Sequence, residues 1–385
     1  MGAPQSRLLE TAIGLKKRGH RVLIVTAMPN YPKGKIFDEY KGKFYLKDTV
    51  NDIDTLRYSL YPSNSKKTLP RIISMLSFSF TAMFSIFKIR KFKPDYIFTE
   101  SPPLTLALSG LLLSKLSGAK HIMNVSDIWP LSALEIGAIS KGRVYSILEK
   151  VEKYLYVKSF ACFGQSQQII DHINSKGTIK TLLFRNGVDF ERFRSIKKIE
   201  NTSGSSGIRI VYAGLLGVAQ GVFDICKNIN FRELGVEFHI YGDGAEKVEI
   251  ETFLNAHPNI NIYLHKSVAR NLIPETIMQY DITLIPLKMA IFGAVPSKIY
   301  EAMAAGLPIL FTGGGEGAEI IKSTETGWVC APSDFKDINS KIKEIATLNN
   351  SQLSVYKSNC LKAAENLFNR DIQIDNIDKF FRNGN

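Results

Sequence analysis

The spacing of apolar residues divides the chain into alternating helices and strands. Apolar positions recur at helical spacing from Gln5 to Arg18, and a β-branched run from Arg21 to Ala27 follows as a strand. Short apolar runs bounded by turn residues predict the later strands: 95–99, 119–125, 160–163, 181–184, 208–213, 236–241, 260–264, 281–285 and 307–312. Helical patterns separate most of these runs. The alternation predicts an α/β fold with parallel sheets.

The longest apolar tract runs from Leu69 to Lys93. Its 18 residues from Ile72 to Ile89 reach the lower length limit of a membrane span. Five hydroxyl residues interrupt the tract, and a basic tail from Lys88 to Lys93 ends it. We therefore predict a packed helix whose exposed face leans toward the membrane. A plain core helix and a true membrane span are the alternatives.

A Ser/Gly-rich run without apolar anchors, 201–207, separates the two halves of the chain and predicts a linker. The predicted domains are residues 1–195 and 208–385, and 385 residues suffice for two hydrophobic cores. Three helices close the second domain in this prediction, at 334–348, 352–367 and 372–381.

The stretch 292–321 carries the clearest candidate site. Pro296 and Ser297 can open a helix, with Ser297 as its cap, and the sequence Gly306-Leu307-Pro308 must stop it. A buried strand, a triple-glycine turn and a second helix start near Glu316 follow. Two helix N-termini close together would bind an anion, and the carboxylate of Glu301 suits sugar hydroxyls. Phosphates and hydroxyls together are what a nucleotide sugar presents.

Further candidate positions fall at the ends of the second-domain strands, where open α/β sheets bind their ligands. Gly214 and Gly217 follow the first strand, Gly242 and Gly244 follow the second, and the segment from Lys266 to Val268 follows the third. Tight turns between a strand and a helix would use glycines at these positions in any case. The series of positions is what favours a binding role.

These motifs resemble those of a known family. The run EAMAAGLPIL at residues 301–310 is similar to the donor-site helix of glycosyltransferase family 4, and Asn186-Gly187-Val188-Asp189 resembles the turn where the first domain of these enzymes ends. The resemblance implies the GT-B fold, in which two Rossmann-like doubly wound domains face a cleft. It also implies transfer of a sugar from a nucleotide-sugar donor, UDP-linked in our interpretation, with retention of anomeric configuration. The most similar subgroup comprises bacterial polysaccharide transferases of the N-acetyl-L-fucosamine transferase type.

The resemblance assigns roles to the candidate residues. Glu301 would hold the ribose hydroxyls, residues 266–268 would meet the base, and backbone amides from Gly214 to Gly217 would face the diphosphate. Related enzymes carry cations near two positions that are Leu215 and Gln220 in this chain. We predict that Lys298 replaces them, because a lysine in the first turn of a helix is disfavoured unless an anion lies nearby. No metal and no cofactor are then expected.

Three departures from the family pattern lie elsewhere. Ser126 stands where the family often has a histidine, which leaves Asp127 as the candidate polar residue of the first domain, or else as a helix cap. Gly293 replaces the first glutamate of a paired motif. The first strand of the family's N-terminal domain has no counterpart before the helix at Gln5. The alternatives are therefore an inactive subunit that binds a partner or a membrane, and a sugar-nucleotide epimerase.

Composition and charge limit the binding partners and the cellular location that can be expected. The four cysteines lack metal-ligand spacing and are predicted to be buried thiols in a reducing cytoplasm: Cys162, Cys226, Cys330 and Cys360. Residues 1–190 carry 28 Lys+Arg and 14 Asp+Glu, whereas residues 191–385 carry 21 and 22. A basic first half without nucleic-acid-binding motifs favours an anionic membrane over nucleic acid. Without a secretory signal, the prediction is a cytoplasmic enzyme peripherally attached to the inner face of the plasma membrane, where it meets a lipid-linked saccharide acceptor.

Overall fold

The computed structural model describes residues 3–30, 34–65, 68–196 and 207–384. The chain forms two compact units, one of Met1–Arg185 with Ile374–Asn385 and one of Asn186–Gln373. Both units contain parallel sheets flanked by helices, so the predicted α/β class is confirmed. Residues 201–206 of the predicted linker lie outside the described residues.

The first unit contains two separate sheets. The strands are β1 Leu23–Ala27, β2 Tyr45–Val50, β3 Ile53–Tyr58, β4 Tyr96–Ser101, β5 Lys120–Val125, β6 Ala161–Gly164 and β7 Thr181–Leu183. One sheet has the order β1-β3-β2, and the other is the parallel sheet β4-β5-β6-β7. In the described part of the chain no strand joins β1 to β4, which is the arrangement expected when an inner strand of a doubly wound sheet is missing.

The hairpin of β2 and β3 was not predicted from the sequence. Its two strands are antiparallel, and Asn51 and Asp52 between them both have positive φ, at 50° and 58°. Two consecutive residues with positive φ form the tight turn that suits the twist of a hairpin, and asparagine and aspartate tolerate this conformation. The Asn-Asp pair between two β-branched runs was therefore the signal available in the sequence.

Helices of the first unit pack on both of its sheets. The helices are α1 Ala3–Lys17, α2 Thr68–Ala82, α3 Ile86–Phe92, α4 Leu104–Ser117, α5 Leu131–Glu135, α6 Arg143–Lys158 and α7 Gln167–Ser175. Helices α4 and α7 lie on the four-stranded sheet, and α2 contacts β1 and β3. A single 3-10 turn, Met83–Ser85, joins α2 to α3. Leu111, Met123 and Leu155 bring α4, β5 and α6 into one buried cluster.

The second unit is built on one parallel sheet of six strands. Its strands are β8 Arg209–Leu215, β9 Glu237–Asp243, β10 Ile262–His265, β11 Ile282–Pro286, β12 Ile309–Thr312 and β13 Gly327–Cys330. The order β10-β9-β8-β11-β12-β13 is that of a dinucleotide-binding fold, and it places the switch of direction beside β8 and β11. Apart from β13, each of these strands matches a predicted apolar run within two residues at each end.

Helices cover both faces of this second sheet. They are α8 Phe190–Arg194, α9 Val222–Asn228, α10 Lys247–Ala256, α11 Ile273–Ile277, α12 Ser297–Ala304, α13 Gly315–Ser323, α14 Phe335–Ala346, α15 Asn350–Asn366 and α16 Arg370–Asn383, the last of which passes into the first unit. The three closing helices predicted from the sequence correspond to α14, α15 and α16. Buried clusters on the two sides of the sheet contain Ile299 and Phe311 in one case and Tyr212 and Phe238 in the other.

The domain limits predicted from the sequence differ from those of the structure at two places. Residues 186–195 belong to the second unit, because Phe190 and Phe193 of α8 are buried in its core. Residues 374–385 belong to the first unit, because Ile377 and Phe381 pack against β5 and β6. The boundaries thus follow apolar anchors rather than the Ser/Gly-rich run. The prediction of buried free thiols is confirmed for all four cysteines.

Candidate functional site

Helix α12 carries the two charged residues predicted for the site. It begins at Ser297 and ends at Ala304, and Gly306 then adopts φ +63°, the left-handed conformation that stops a helix. The predicted cap was wrong: Pro296 occupies the cap position in extended conformation, Ser297 is the first helical residue, and no side chain caps this end. The first-turn N–H groups of α12 are consequently left without a side-chain cap.

The N-terminus of α13 lies beside that of α12, as predicted. A Cβ atom added to Gly317, in the first turn of α13, would lie 3.2 Å from Ile299 Cδ1 in the first turn of α12. Gly314 precedes α13 and offers no side-chain cap. Neither Pro296 nor Gly314 caps its helix with a side chain, and the free backbone donors and positive dipole end of a helix N-terminus favour an anion.

Lys298 extends from the first turn of α12 to the end of β8. Its Nζ lies 4.0 Å from the centre of the Tyr212 ring and occupies the space where Gly214 has no side chain. Burial lowers the pKa of Lys298 to about 8, although the nearby carboxylate of Glu301 opposes this shift. Among the described residues, no acceptor forms a hydrogen bond or a close ion pair with the ammonium group. A half-buried cation without an acceptor gains from a bound anion.

Glu301 lies one turn after Lys298 and is likewise half-buried. Burial raises the pKa of Glu301, and Arg270, Lys298 and Arg192 oppose the shift with their positive charges. No described residue donates a hydrogen bond to the carboxylate. An acceptor pair that the protein leaves unsatisfied is suited to the hydroxyl groups of a ligand.

Arg270 and Arg192 were not predicted from the sequence. Arg270 begins the 3-10 turn that follows the loop after β10, and its charge acts on Glu301. Arg192 of α8 donates through Nη2 to the carbonyl oxygens of Arg270, at 3.0 Å, and Asn271, at 3.2 Å, and thereby fixes this turn. The position of Arg270 four residues after Lys266, in the same strand-end series, was the signal that could have identified it.

The loops at the strand ends hold the other predicted residues. Lys266 is exposed and Val268 half-buried, both after β10, whose neighbour in the sheet is β9. Packing suffices to explain Gly242 and Gly244, because an added Cβ would overlap backbone oxygens at the end of β8 and in the loop after it. A contact of Gly217, Gly242 or Gly244 with a donor stays a prediction.

In the first unit, a buried polar cluster forms at the carboxyl ends of β4 and β5. Arg7 donates through Nη2 to Glu100, at 2.5 Å, and to Ser126 Oγ, at 2.9 Å. Ser126 also donates to Glu100, and Asn124 Nδ2 donates to the other carboxylate oxygen of Glu100 at 2.6 Å. Gln165 Nε2 donates to Ser126 at 2.5 Å. The serine in the family's histidine position is therefore fixed by a buried ion pair.

Asp127 follows this cluster and is exposed. It does not cap α5, the next helix, where Pro130 occupies the cap position without a side-chain hydrogen bond. Burial of its surroundings raises the pKa of Asp127, the negative charge of Glu100 raises it further, and Arg7 opposes the shift. A carboxyl group that is accessible while its surroundings are desolvated is a candidate for contact with a polar ligand.

Two family models together match nearly the whole chain. The model of a glycosyl transferase 4-like domain matches residues 2–187, and the model of glycosyl transferases group 1 matches residues 195–359. These matches, with the paired parallel-sheet units, define the class of the protein as a glycosyltransferase. The chain belongs to glycosyltransferase family 4 and has the GT-B fold.

Named relatives and solved structures are similar over most of their length. The colanic acid biosynthesis glycosyl transferase WcaI of Escherichia coli (strain K12) is 24% identical over 76% of this chain and 75% of its own. WbjE of Pseudomonas aeruginosa, also named as a glycosyltransferase, is 25% identical over 76% of both chains. Among solved structures, sucrose-phosphate synthase of Thermosynechococcus elongatus covers 99% of this chain and 93% of its own at a TM-score of 0.75 and 13% identity. HepE of Anabaena, solved with UDP, covers 94% of this chain and 99% of its own at a TM-score of 0.66 and 13% identity.

Proposed function

We propose that this glycosyltransferase moves a sugar from a UDP-linked donor, bound by the second unit, to a hydroxyl group of a lipid-linked saccharide. The anomeric configuration is retained, and the product serves bacterial surface polysaccharide synthesis. The enzyme works at the cytoplasmic face of the membrane, to which it attaches peripherally. The observation that carries the donor site is the pair Lys298 and Glu301, both half-buried and neither hydrogen-bonded to a described residue.

The pair matches the two chemical parts of a nucleotide sugar. The ammonium group of Lys298, at the uncapped start of α12, meets the diphosphate, and the Glu301 carboxylate accepts hydrogen bonds from the ribose hydroxyls. Arg270 offers a further cation at the neighbouring turn. These groups hold the donor without a resident metal ion.

The same arrangement stabilises the departing diphosphate. When the bond between the anomeric carbon and the phosphate oxygen breaks, negative charge grows on the diphosphate. Lys298 and the first-turn N–H groups of α12 and α13 stabilise this charge as preorganised donors. Their benefit therefore increases from the ground state to the transition state, which raises kcat more than it lowers KM.

The relatives support the donor and the biosynthetic role that we propose. HepE was solved with UDP and with UDP and glucose. WcaI is named as a glycosyl transferase of colanic acid biosynthesis. The excess of 28 basic over 14 acidic residues in positions 1–190 favours an acceptor at an anionic membrane.

The test begins with a thermal-shift screen of UDP-, GDP- and dTDP-sugars. A donor present at a hundredfold excess over its Kd should stabilise the folded protein by about 2.7 kcal/mol. The donor that shifts Tm is then incubated, radiolabelled, with a lipid-linked saccharide extract, and label should move to the lipid phase. Interconversion of the sugar without acceptor would establish an epimerase instead, and neither stabilisation nor turnover with any donor would establish an inactive subunit.

A further inference from the structure

The helical segment formed by α2 and α3 buries polar side chains and exposes large apolar ones, which is the reverse of a helix that packs on a soluble core. Leu69–Phe92 is long and apolar enough to cross a membrane, yet only 28% of its most apolar window is buried. The hydroxyl side chains of Ser79, Thr81 and Ser85 point inward and are buried. The large apolar side chains point outward, with Phe80 67% and Phe87 74% exposed. An amphipathic helix on a protein core normally shows the reverse arrangement.

Hydrogen bonds fix the inward side of this segment to the rest of the first unit. Ser79 Oγ donates to Thr105 Oγ1 of α4 at 2.9 Å, and Ser109 of α4 donates to the Ser79 carbonyl at 2.9 Å. Thr81 Oγ1 donates to the carbonyl of Ser59 at 2.6 Å. The segment is therefore held against α4 by its polar side, which leaves the apolar side to solvent.

Helix α4 extends the outward apolar surface. Its exposed leucines lie four residues apart, so that they form one stripe along the helix. We define the apolar face as the exposed side chains of the two neighbouring elements: Leu69, Ile72, Ile73, Leu76, Phe80, Phe84 and Phe87 from the segment, and Leu108, Leu112 and Leu116 from α4. Phe44 extends it by an edge-on contact with Phe84, with ring centres 5.3 Å apart.

The apolar face is too large to be an ordinary surface feature. Phe80, Phe84 and Phe87 alone expose on the order of 350 Å², at about 200 Å² for a fully exposed phenylalanine. The largest apolar patch of a typical soluble monomer is about 300–600 Å² in total, and the seven aliphatic side chains add to the phenylalanines here. An exposed apolar surface of this size marks an interaction site.

Charge identifies the partner. Positions 60–94 contain seven Lys or Arg residues and no Asp or Glu. Arg71, Lys88, Lys91 and Lys93 are exposed, and in the described part of the chain none of them forms an ion pair with a carboxylate. A second copy of the chain would place like charges against each other, which disfavours a symmetric dimer through this face. Anionic lipid headgroups with acyl chains beneath them match both the cations and the apolar side chains.

We propose that the apolar face inserts into the outer region of an anionic bilayer leaflet, while the surrounding lysines and arginines bind lipid headgroups. The segment lies in the interface and does not span the bilayer, because its polar side stays hydrogen-bonded to α4. The inference rests on the proposed function, which requires access to a lipid-linked acceptor, and it adds the surface that provides this access.

The test is flotation of the full chain with vesicles of phosphatidylcholine alone and of phosphatidylcholine mixed with phosphatidylglycerol. The wild type should float with the mixed vesicles, and rising salt should weaken binding. F80S/F87S should lower the partition coefficient at least about tenfold, since two large side chains no longer insert. V248S/V355S removes two exposed valines of the second unit and should bind as the wild type does.

The charge arm uses K88Q/K91Q with K336Q/K343Q as its control, because each pair removes two exposed lysines. Only K88Q/K91Q should lose binding to the mixed vesicles. A tryptophan placed at the most exposed position, F87W, should shift its emission to the blue when mixed vesicles are added, relative to the wild type.

Three results would overturn the proposal. The first is unchanged flotation of F80S/F87S, and the second is an equal loss of vesicle binding in the test and control variants. The third is a wild type that binds no vesicle and instead forms a dimer that F80S/F87S abolishes. Failure of docking remains distinguishable from failure of the donor site in the proposed function. Stabilisation by the UDP-linked donor depends on the second unit and should persist in F80S/F87S, so its absence in every variant would refute the donor site alone.

Discussion

Nucleotide binding should be coupled to protonation of Lys298. In the ligand-free protein, burial lowers the pKa of Lys298 to about 8 from the usual 10.5. A bound diphosphate places negative charge beside the ammonium group and favours its charged form. The pKa should therefore rise on binding, and the protein should take up a proton wherever the free lysine is partly neutral.

The expected uptake follows from the two pKa values. If binding restores the pKa to about 10.5, about half a proton is taken up per nucleotide at pH 8, falling to about 0.1 at pH 7 and rising to about 0.9 at pH 9. Affinity should decrease as pH rises through 8, because the neutral lysine must first acquire its proton. The change levels off near pH 10.5, where the bound form also loses the proton.

Isothermal titration calorimetry of UDP in buffers of different ionisation enthalpy measures this uptake. The phosphates of UDP are already ionised at pH 8, so they contribute little. K298A should bind more weakly and without the uptake, and under saturating donor its kcat should fall on the order of a hundredfold. K298R keeps a permanent charge and should bind UDP without uptake while retaining part of the activity.

A wild type that takes up no proton at pH 8 or 9 would refute this coupling of binding to protonation. A K298A variant with the same uptake and the same kcat would refute it as well. In either case another group neutralises the diphosphate. Circular dichroism and the urea midpoint of each variant exclude loss of folding as the cause.

Three further predictions concern the two units separately. E301A should weaken UDP binding by roughly 1–3 kcal/mol, the range for hydrogen bonds to a charged group, and unchanged calorimetric affinity in a folded variant would remove Glu301 from the site. G214A should weaken UDP binding at least about tenfold, since its Cβ would displace Lys298 Nζ at a backbone φ of +152°; wild-type affinity would show that Lys298 can bind from another position. R7M should lower the free energy of unfolding by about 3–5 kcal/mol, because it removes the counter-ion of the partly buried Glu100 carboxylate, and R7M/E100Q should recover part of the loss. An R7M urea midpoint equal to that of the wild type would contradict the structural role of this pair.

The sequence by itself determined those features that depend on neighbours along the chain. Helix α12 could be placed because proline favours its start and glycine followed by proline must end it. The strands of the second sheet could be placed because buried parallel strands form continuous apolar runs. Lys298 was identified as a candidate because a cation in the first turn of a helix conflicts with the helix dipole. Each of these inferences uses information within about ten residues.

Only the tertiary structure decided which side chains meet across longer distances. The hydroxyl residues of the segment from Leu69 to Phe92 counted against a membrane span in the sequence. In the structure Ser79 bonds inward to α4, and large apolar side chains lie at the surface. Ser126 meets Arg7 and Glu100 across 119 and 26 residues, and Arg270 acts on Glu301 from a separate loop. Periodicity gives the two faces of a helix but not which of them the rest of the chain will cover, because that choice depends on the partners that packing supplies.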